Sequence, residues 1–142
     1  MIFVKDIMTR PVRTIAPGST IAEAAREMAK WKIGSLVVVE RNSPVGIITE
    51  GDVSRCVGRG MDRGTLLKSF TRKKLITVAP GERVEMAAKS MSDNNVKKLP
   101  VLEDGNLIGI LTQTDIVSSS FSLVTSLKEM VQARYRPPDF QM

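Results

Sequence analysis

Gly46-Ile-Ile-Thr-Glu-Gly-Asp52 returns 63 residues later as Gly109-Ile-Leu-Thr-Gln-Thr-Asp115. With the same offset and no gap, Thr14-Ile-Ala-Pro-Gly18 returns as Thr77-Val-Ala-Pro-Gly81. The chain is therefore a tandem duplication, with copy one from about residue 4 to residue 54 and copy two from about residue 67 to residue 117. An internal repeat predicts that each copy buries its apolar face on the other, and it predicts two related sites.

The composition excludes several classes of function. The 142 residues contain no histidine and a single cysteine, Cys56, so intrachain disulfides, Cys/His zinc sites and His-based triads are excluded. The apolar surroundings of Cys56 predict a buried packing role for it. The net charge of +6 favours anionic partners such as nucleotide phosphates, nucleic acid or acidic proteins. We find no signal-peptide or membrane-spanning pattern and expect a cytoplasmic protein.

Hydrophobic spacing predicts the same order of elements in both copies: strand, helix, strand, strand, helix. This order predicts an α+β fold with small mixed sheets, in which two halves of about 50 residues share a core because each would be marginal alone. Thr20 and Glu23 fit a capping box for the first helix of copy one, whereas Arg83 and Met86 occupy those positions in copy two. Glu103-Asp-Gly-Asn106 is a strong hairpin signal.

The predicted domains are residues 1–63 with the linker, residues 64–118, and residues 119–142 as a C-terminal helix followed by a frayed tail. The helix is predicted from an apolar stripe of Leu123, Leu127, Met130 and Val131. That stripe can pack on its own domain or form a contact in a homodimer, and the sequence leaves both open.

The repeated Gly-x-x-Thr-x-x-Asp motif places a strand directly before a helix that is capped by Thr and has Asp as its third residue. The free amides and partial positive charge of the helix start suit a phosphate, and the Thr hydroxyl can add a hydrogen bond. The Asp carboxylate can accept both hydroxyls of a ribose. The same Thr and Asp also fit a capping box that needs no ligand, and this short motif alone does not decide between the two.

The whole pattern resembles the cystathionine beta-synthase (CBS) domain, once in each copy. The segments that carry the resemblance in copy one, besides the two quoted above, are Val4-Lys-Asp-Ile-Met8 and Ile33-Gly-Ser-Leu-Val-Val38, and in copy two Val96-Lys-Lys-Leu-Pro-Val101. The resemblance covers nearly everything from residue 4 to residue 117. It implies a stand-alone CBS pair, or Bateman module, whose halves pack by pseudo-twofold symmetry and leave two clefts for adenosyl ligands.

By this resemblance, each adenine base would lie between the first and second strands of one copy, and the ribose on Asp52 or Asp115. Phosphates would lie near Thr49 or Thr112 and near basic residues, for which Arg55, Arg13 and Lys98 are the candidates. The nucleotide-binding positions that it implies are Thr14, Ile15, Ser35, Leu36, Thr49, Asp52, Arg55, Thr77, Val78, Lys98, Leu99, Pro100, Thr112, Thr114 and Asp115. No catalytic or metal-binding residue is implied.

The leading hypothesis is therefore a non-catalytic regulatory module that binds AMP, or else ADP, ATP or S-adenosylmethionine, and signals to a regulated protein or through its own homodimer. The second hypothesis is a nucleic-acid-binding protein. It rests on a basic stretch formed by Arg55, Arg59, Arg63, Lys68, Arg72, Lys73 and Lys74. A third, an enzyme that uses Asp52 and Asp115 as a carboxylate pair, finds no support in the spacing of the residues.

Overall fold

The computed structural model describes residues 1–71, 75–120, 128–130 and 132. In chain order the elements are α1 (Val4–Ile7), β1 (Thr14–Ile15), α2 (Ile21–Trp31), β2 (Ser35–Glu40), β3 (Ser43–Thr49), α3 (Glu50–Gly58), a 3₁₀ helix (Leu67–Phe70), α4 (Val84–Asn94), β4 (Lys98–Glu103), β5 (Asn106–Thr112) and α5 (Gln113–Ser119). The α+β class with small mixed sheets is confirmed, and so is the predicted order of elements, with a single bridge in place of the first strand of copy two.

Each copy contains one small sheet. In copy one, β1 runs parallel to β2, and β2 pairs antiparallel with β3. In copy two, β4 and β5 form the same antiparallel hairpin, but the first strand is reduced to a single parallel bridge between Val78 and Val101. The predicted turn at residues 103–106 is present, with Asp104 and Gly105 at φ +50° and +81°, as a tight hairpin requires.

The two long helices of the repeat begin differently, as their sequences predict. Thr20 caps α2, and its hydroxyl oxygen accepts a hydrogen bond from the Glu23 amide at 3.1 Å. Arg83 precedes α4 without a side-chain cap. The amide of Val84 instead donates to the carbonyl of Ile2, so a distant part of the chain satisfies the start of α4.

The start of each copy packs on the other copy. We call residues 2–9 and 65–71 the opening segments of copies one and two. Val4 is fully buried in the core of copy two, and Leu67 is fully buried in the core of copy one. The backbone follows the same exchange: the Val4 amide donates to the carbonyl of Glu82, and the Leu67 amide donates to the carbonyl of Ser19. The shared core predicted from the repeat therefore takes the form of two cores, each completed by the other copy.

The motif glycines explain how closely these segments approach. A Cβ on Gly109 would lie 2.6 Å from the sulfur of Met8, and a Cβ on Gly46 would lie 3.2 Å from the Cα of Thr71. Each glycine therefore makes room for the opening segment of the other copy. Cys56 is 3% exposed within the core of copy one, as predicted.

The C-terminal prediction is only partly covered by the structure. Leu123, Leu127, Val131 and the predicted tail lie outside the described residues, whereas Met130 is helical and 58% exposed. Among the described residues, no helix is long and apolar enough to cross a membrane.

We expect Leu67→Ala to lower the free energy of unfolding by about 3 kcal/mol, because it removes a fully buried side chain that completes the core of copy one. Urea denaturation measures the change. Lys68→Ala is the matched control at an exposed neighbouring position, with an expected change within about 0.5 kcal/mol. Equal effects of the two variants would contradict the exchanged packing.

Candidate functional site

A cleft of about 570 Å³ opens between the two copies at the start of α3. Copy one provides Gly34, Ile47, Thr49, Glu50, Gly51, Asp52 and Arg55, and copy two provides Leu75, Ile76, Asn95, Val96, Lys97 and Lys98. The walls are thus of two kinds, one apolar and one formed by a helix start with charged side chains. This division suits a ligand that carries a flat apolar part and an anionic part.

Asp52 and Thr49 form the capping box that the motif predicts. The Asp52 carboxylate accepts hydrogen bonds from the Thr49 amide at 2.8 Å and the Thr49 hydroxyl at 2.9 Å, and the Asp52 amide donates to the Thr49 hydroxyl oxygen at 3.1 Å. The capping alternative is therefore real. It does not exclude a ligand, because the Asp52 side chain keeps 21% of its surface exposed and lines the cleft.

Arg55 lies one turn along α3 and folds back over the helix start. Its Nη2 donates to Oδ1 of Asp52 at 2.7 Å, while 60% of the Arg55 side chain remains exposed. Gly51 permits this position, because a Cβ there would lie 3.2 Å from Nη1 of Arg55. An exposed guanidinium at a helix start can turn to an incoming phosphate without a change in the backbone.

Lys98 reaches into the same cleft from β4 of copy two. Its ammonium nitrogen lies 3.2 Å from the position that a Cβ on Gly34 would occupy, and the Glu50 carboxylate flanks the same point. Burial lowers the pKa of the Lys98 ammonium from its ordinary value, and the negative charges of Glu50 and Asp115 oppose this shift. A bound anion would favour the charged form of Lys98 for the same electrostatic reason.

The second motif has a different set of contacts. Asp115 accepts from the Thr112 amide at 2.9 Å, as in a capping box, and also from the hydroxyl of Thr9, whose oxygen lies 2.9 and 3.1 Å from its two carboxylate oxygens. Thr9 belongs to the opening segment of copy one, 106 residues away. The sequence places Thr9 directly after the Val4-Lys-Asp-Ile-Met8 segment, but only the pseudo-twofold packing reveals its contact with Asp115.

The predicted site residues are thus partly brought together. Thr49, Asp52 and Arg55 share the first cleft with Lys98, which the resemblance implied both for the base site of copy two and as a phosphate candidate. Four of the predicted residues are buried: Leu36, Val78, Leu99 and Pro100. Thr14 lines a different groove, together with Arg10 and Asn106. Ile15 in β1 and Ser35 in β2 are half-buried. Thr77 and Thr114 are exposed. Arg13 lies 3.4 Å above the centre of the Trp31 ring.

The lining residues that sequence reasoning did not include are Gly34, Ile47, Glu50, Gly51, Leu75, Ile76, Asn95, Val96 and Lys97. A usable signal existed for Lys97, because it precedes Lys98 in the segment that carries the family resemblance. The apolar residues give no such signal, because a strand residue that lines a cleft has the same pattern as one that packs in a core.

Little in the structure supports the two alternative functions. In the basic stretch, Arg55 pairs with Asp52, and Arg72, Lys73 and Lys74 lie outside the described residues. For the carboxylate pair, Asp52 and Asp115 each bond to separate partners, as described above. Among the described residues, no group of three or more acidic or cysteine side chains could hold a metal ion.

Comparison with known proteins gives a consistent picture. The CBS domain family model matches residues 4–59 and again residues 67–122. CBS domain-containing protein YhcV of Bacillus subtilis is 32% identical over 120 residues, which are 84% of this chain and 86% of that protein. A homoserine O-acetyltransferase of Methanohalobium evestigatum is 35% identical over 116 residues, and the match spans 23% of that enzyme.

Two solved structures have the same architecture. The CBS domain pair of protein MJ0100, in complex with 5′-methylthioadenosine and S-adenosyl-L-methionine, has a TM-score of 0.77 and 29% identity over 87% of this chain and 98% of that one. CBS domain protein PAE2072 of Pyrobaculum aerophilum, complexed with AMP, has a TM-score of 0.76 and 27% identity over 87% and 99% of the two chains. The duplicated motif, the paired sheets and both family matches lead to one conclusion: this chain belongs to the CBS domain family and carries two CBS domains in tandem, as a Bateman module.

Proposed function

We propose that this protein is an adenine-nucleotide sensor that binds AMP, or a related adenosine phosphate, in the first cleft. The observation that carries the proposal is the meeting of Asp52 and Thr49 from copy one with Lys97 and Lys98 from copy two around one open cleft. Relatives of similar fold are complexed with AMP in one case and with 5′-methylthioadenosine and S-adenosyl-L-methionine in another.

The apolar wall suits the adenine ring. Ile47 lies at the end of β3, and Leu75 and Ile76 lead into the first extended segment of copy two, so the ring can lie flat between residues of both copies. Base–aliphatic contact of this kind requires no aromatic platform, which is consistent with a chain that has only six aromatic side chains among Phe, Trp and Tyr.

The polar wall suits a ribose and a phosphate. The exposed part of the Asp52 carboxylate can accept the ribose hydroxyls. The start of α3, Lys97, Lys98 and Arg55 provide positive charge for the phosphate, whereas Glu50 opposes it. The excess of positive groups favours AMP over uncharged 5′-methylthioadenosine.

Because the cleft is formed by both copies, a ligand there bridges them. Binding would therefore stabilise one relative position of the two copies, and this is the change that a regulated protein or a homodimer partner could detect. The module occurs in relatives as nearly the whole protein and as a small part of an enzyme, which is consistent with a regulatory rather than a catalytic role.

We expect Asp52→Asn to weaken AMP binding by about 10- to 100-fold, because hydrogen bonds to a charged acceptor are worth about 1.5 to 3 kcal/mol. Isothermal titration calorimetry on the purified chain measures the affinity. Glu103→Gln removes an exposed carboxylate at the hairpin turn, away from the cleft, and serves as the matched control. If wild-type protein binds no adenosine phosphate, or if both variants bind AMP as wild type does, the proposal is wrong.

Lys98→Met should distinguish between ligands. It keeps the length of the side chain but removes the charge, so we expect AMP affinity to fall by about tenfold and 5′-methylthioadenosine affinity to stay within about twofold. Lys68→Met is the control for loss of an exposed positive charge outside the cleft. Parallel loss of both ligands would indicate that Lys98 supports the shape of the cleft rather than the phosphate.

The lowered pKa of Lys98 predicts an alkaline pH dependence. AMP favours the ammonium, so the pKa in the complex lies above that of the unliganded protein; affinity is complete below the unliganded pKa and falls as the pH rises through it. Titrations of wild type and Lys98→Met over alkaline pH test this. We expect AMP affinity to fall more steeply with rising pH for wild type than for Lys98→Met. Identical pH profiles for the two proteins would contradict the role of the Lys98 ammonium in binding the phosphate.

A further inference from the structure

The two copies of the motif differ at the positions that make the first cleft suitable for a phosphate. The repeat offset places Gly34, Ser35 and Ser118 where the first cleft has Lys97, Lys98 and Arg55. All three positive side chains are therefore replaced by small neutral residues. The same offset places Lys97 and Lys32 where the first cleft has Gly34 and Asn95, so the second motif keeps positive charge nearby but has no cation on its own helix at the position of Arg55.

The wall for the base also differs. The residues that correspond to Leu75 and Ile76 are Val12 and Arg13. Arg13 lies over the ring of Trp31 with its guanidinium carbon 3.4 Å from the ring centre, so it is engaged in a cation–π contact. At the position of Ile76, an apolar side chain of the first cleft is thus replaced by a charged one that already has a partner, whereas Val12 keeps the apolar character of Leu75.

The third difference is the state of the carboxylate. Asp52 bonds to side chains of its own helix start, Thr49 and the largely exposed Arg55. Asp115 instead receives the hydroxyl of Thr9, which lies within hydrogen-bonding distance of both carboxylate oxygens. The Thr9 hydroxyl, which can donate its single hydrogen to either oxygen, thus takes one of the acceptor positions that ribose hydroxyls would use.

Thr9 is held in this position by its backbone. Its amide donates to the carbonyl of Ile110 at 2.8 Å, and its carbonyl accepts from the Ile110 amide at 3.1 Å. Next to it, Met8 lies directly over Gly109. Thr9 can leave Asp115 by rotation of its side chain, and Arg55 can leave Asp52 by a side-chain movement into solvent. Movement of the whole opening segment away from copy two, however, would also break the backbone pairing of Thr9 with Ile110.

We propose that the two motifs have separate roles: Asp52 accepts the ribose of one adenosine ligand, whereas Asp115 is held by Thr9 and fastens the opening segment of copy one to copy two. The module then binds a single AMP, in the first cleft. The ligand half of this inference, that a single AMP binds in the first cleft, rests on the proposed function. The structural half, that Thr9 holds Asp115 and fastens the opening segment, does not.

Calorimetric titration of the full chain with AMP tests the ligand half. We expect one AMP per chain for wild type and for Asp115→Asn, with affinities within about threefold of each other, and loss of at least tenfold for Asp52→Asn. Asn keeps one acceptor oxygen for the helix cap in both variants, so they are matched. Two AMP molecules per wild-type chain, or equal losses in the two Asp variants, would overturn the inference and leave the proposed function standing.

A double-mutant cycle without ligand tests the structural half. Thr9→Val and Asp115→Asn should each lower the melting temperature by about 2 to 4 °C, and the double variant should fall no further than the larger single effect. Thr9→Ser keeps the hydroxyl and should melt within about 1 °C of wild type. The effects of Thr9→Val and Asp52→Asn on the melting temperature should be additive, because these two residues are not in contact. Additive effects of Thr9→Val and Asp115→Asn would refute the contact. Absence of any AMP binding would refute the proposed function and the ligand half, while this cycle would still decide the structural half.

Discussion

The exchange of opening segments between the two copies is the constraint on which the rest of this structure depends. Val4 completes the core of copy two and Leu67 completes the core of copy one, and backbone hydrogen bonds follow the same path in both directions. A half of about 50 residues would be marginal by itself, because a small domain buries a smaller fraction of its surface than a large one. Because each copy lacks one side of its core, neither is complete until both are folded.

This exchange also determines where the functional groups lie. The opening segments cross the motif glycines, Gly46 and Gly109, so the strands that lead into α3 and α5 are fixed against the other copy. The residues that follow those strands, Thr49 and Asp52, then face Lys97 and Lys98 across the pseudo-twofold axis. The cleft is therefore a product of the interface between the copies and not of either copy alone.

Duplication first makes two sites alike, and substitution then makes them different. Capping is preserved in both copies, because Thr49 with Asp52 and Thr112 with Asp115 each satisfy free amides at a helix start. The charges around the caps have diverged, with Arg55 on the helix of the first motif and Ser118 at the corresponding position of the second. A structural role that does not depend on a ligand can thus keep a motif intact after its surroundings have changed.

The sequence alone determined the duplication, the order of the elements, the hairpin turn, the buried Cys56 and the capped helix starts. These features depend on local spacing and side-chain chemistry, which are visible in a short window of residues. The family resemblance also placed Asp52, Thr49 and Lys98 among the candidate residues, with Lys98 as a candidate for the phosphate as well as for the base site of copy two. Only the tertiary structure decided that Lys98 shares a cleft with Asp52 and that Thr9 contacts Asp115, because these residues come together only when the two copies pack. The contact of Arg13 with Trp31 lies within copy one and joins residues that are close only once that copy has folded.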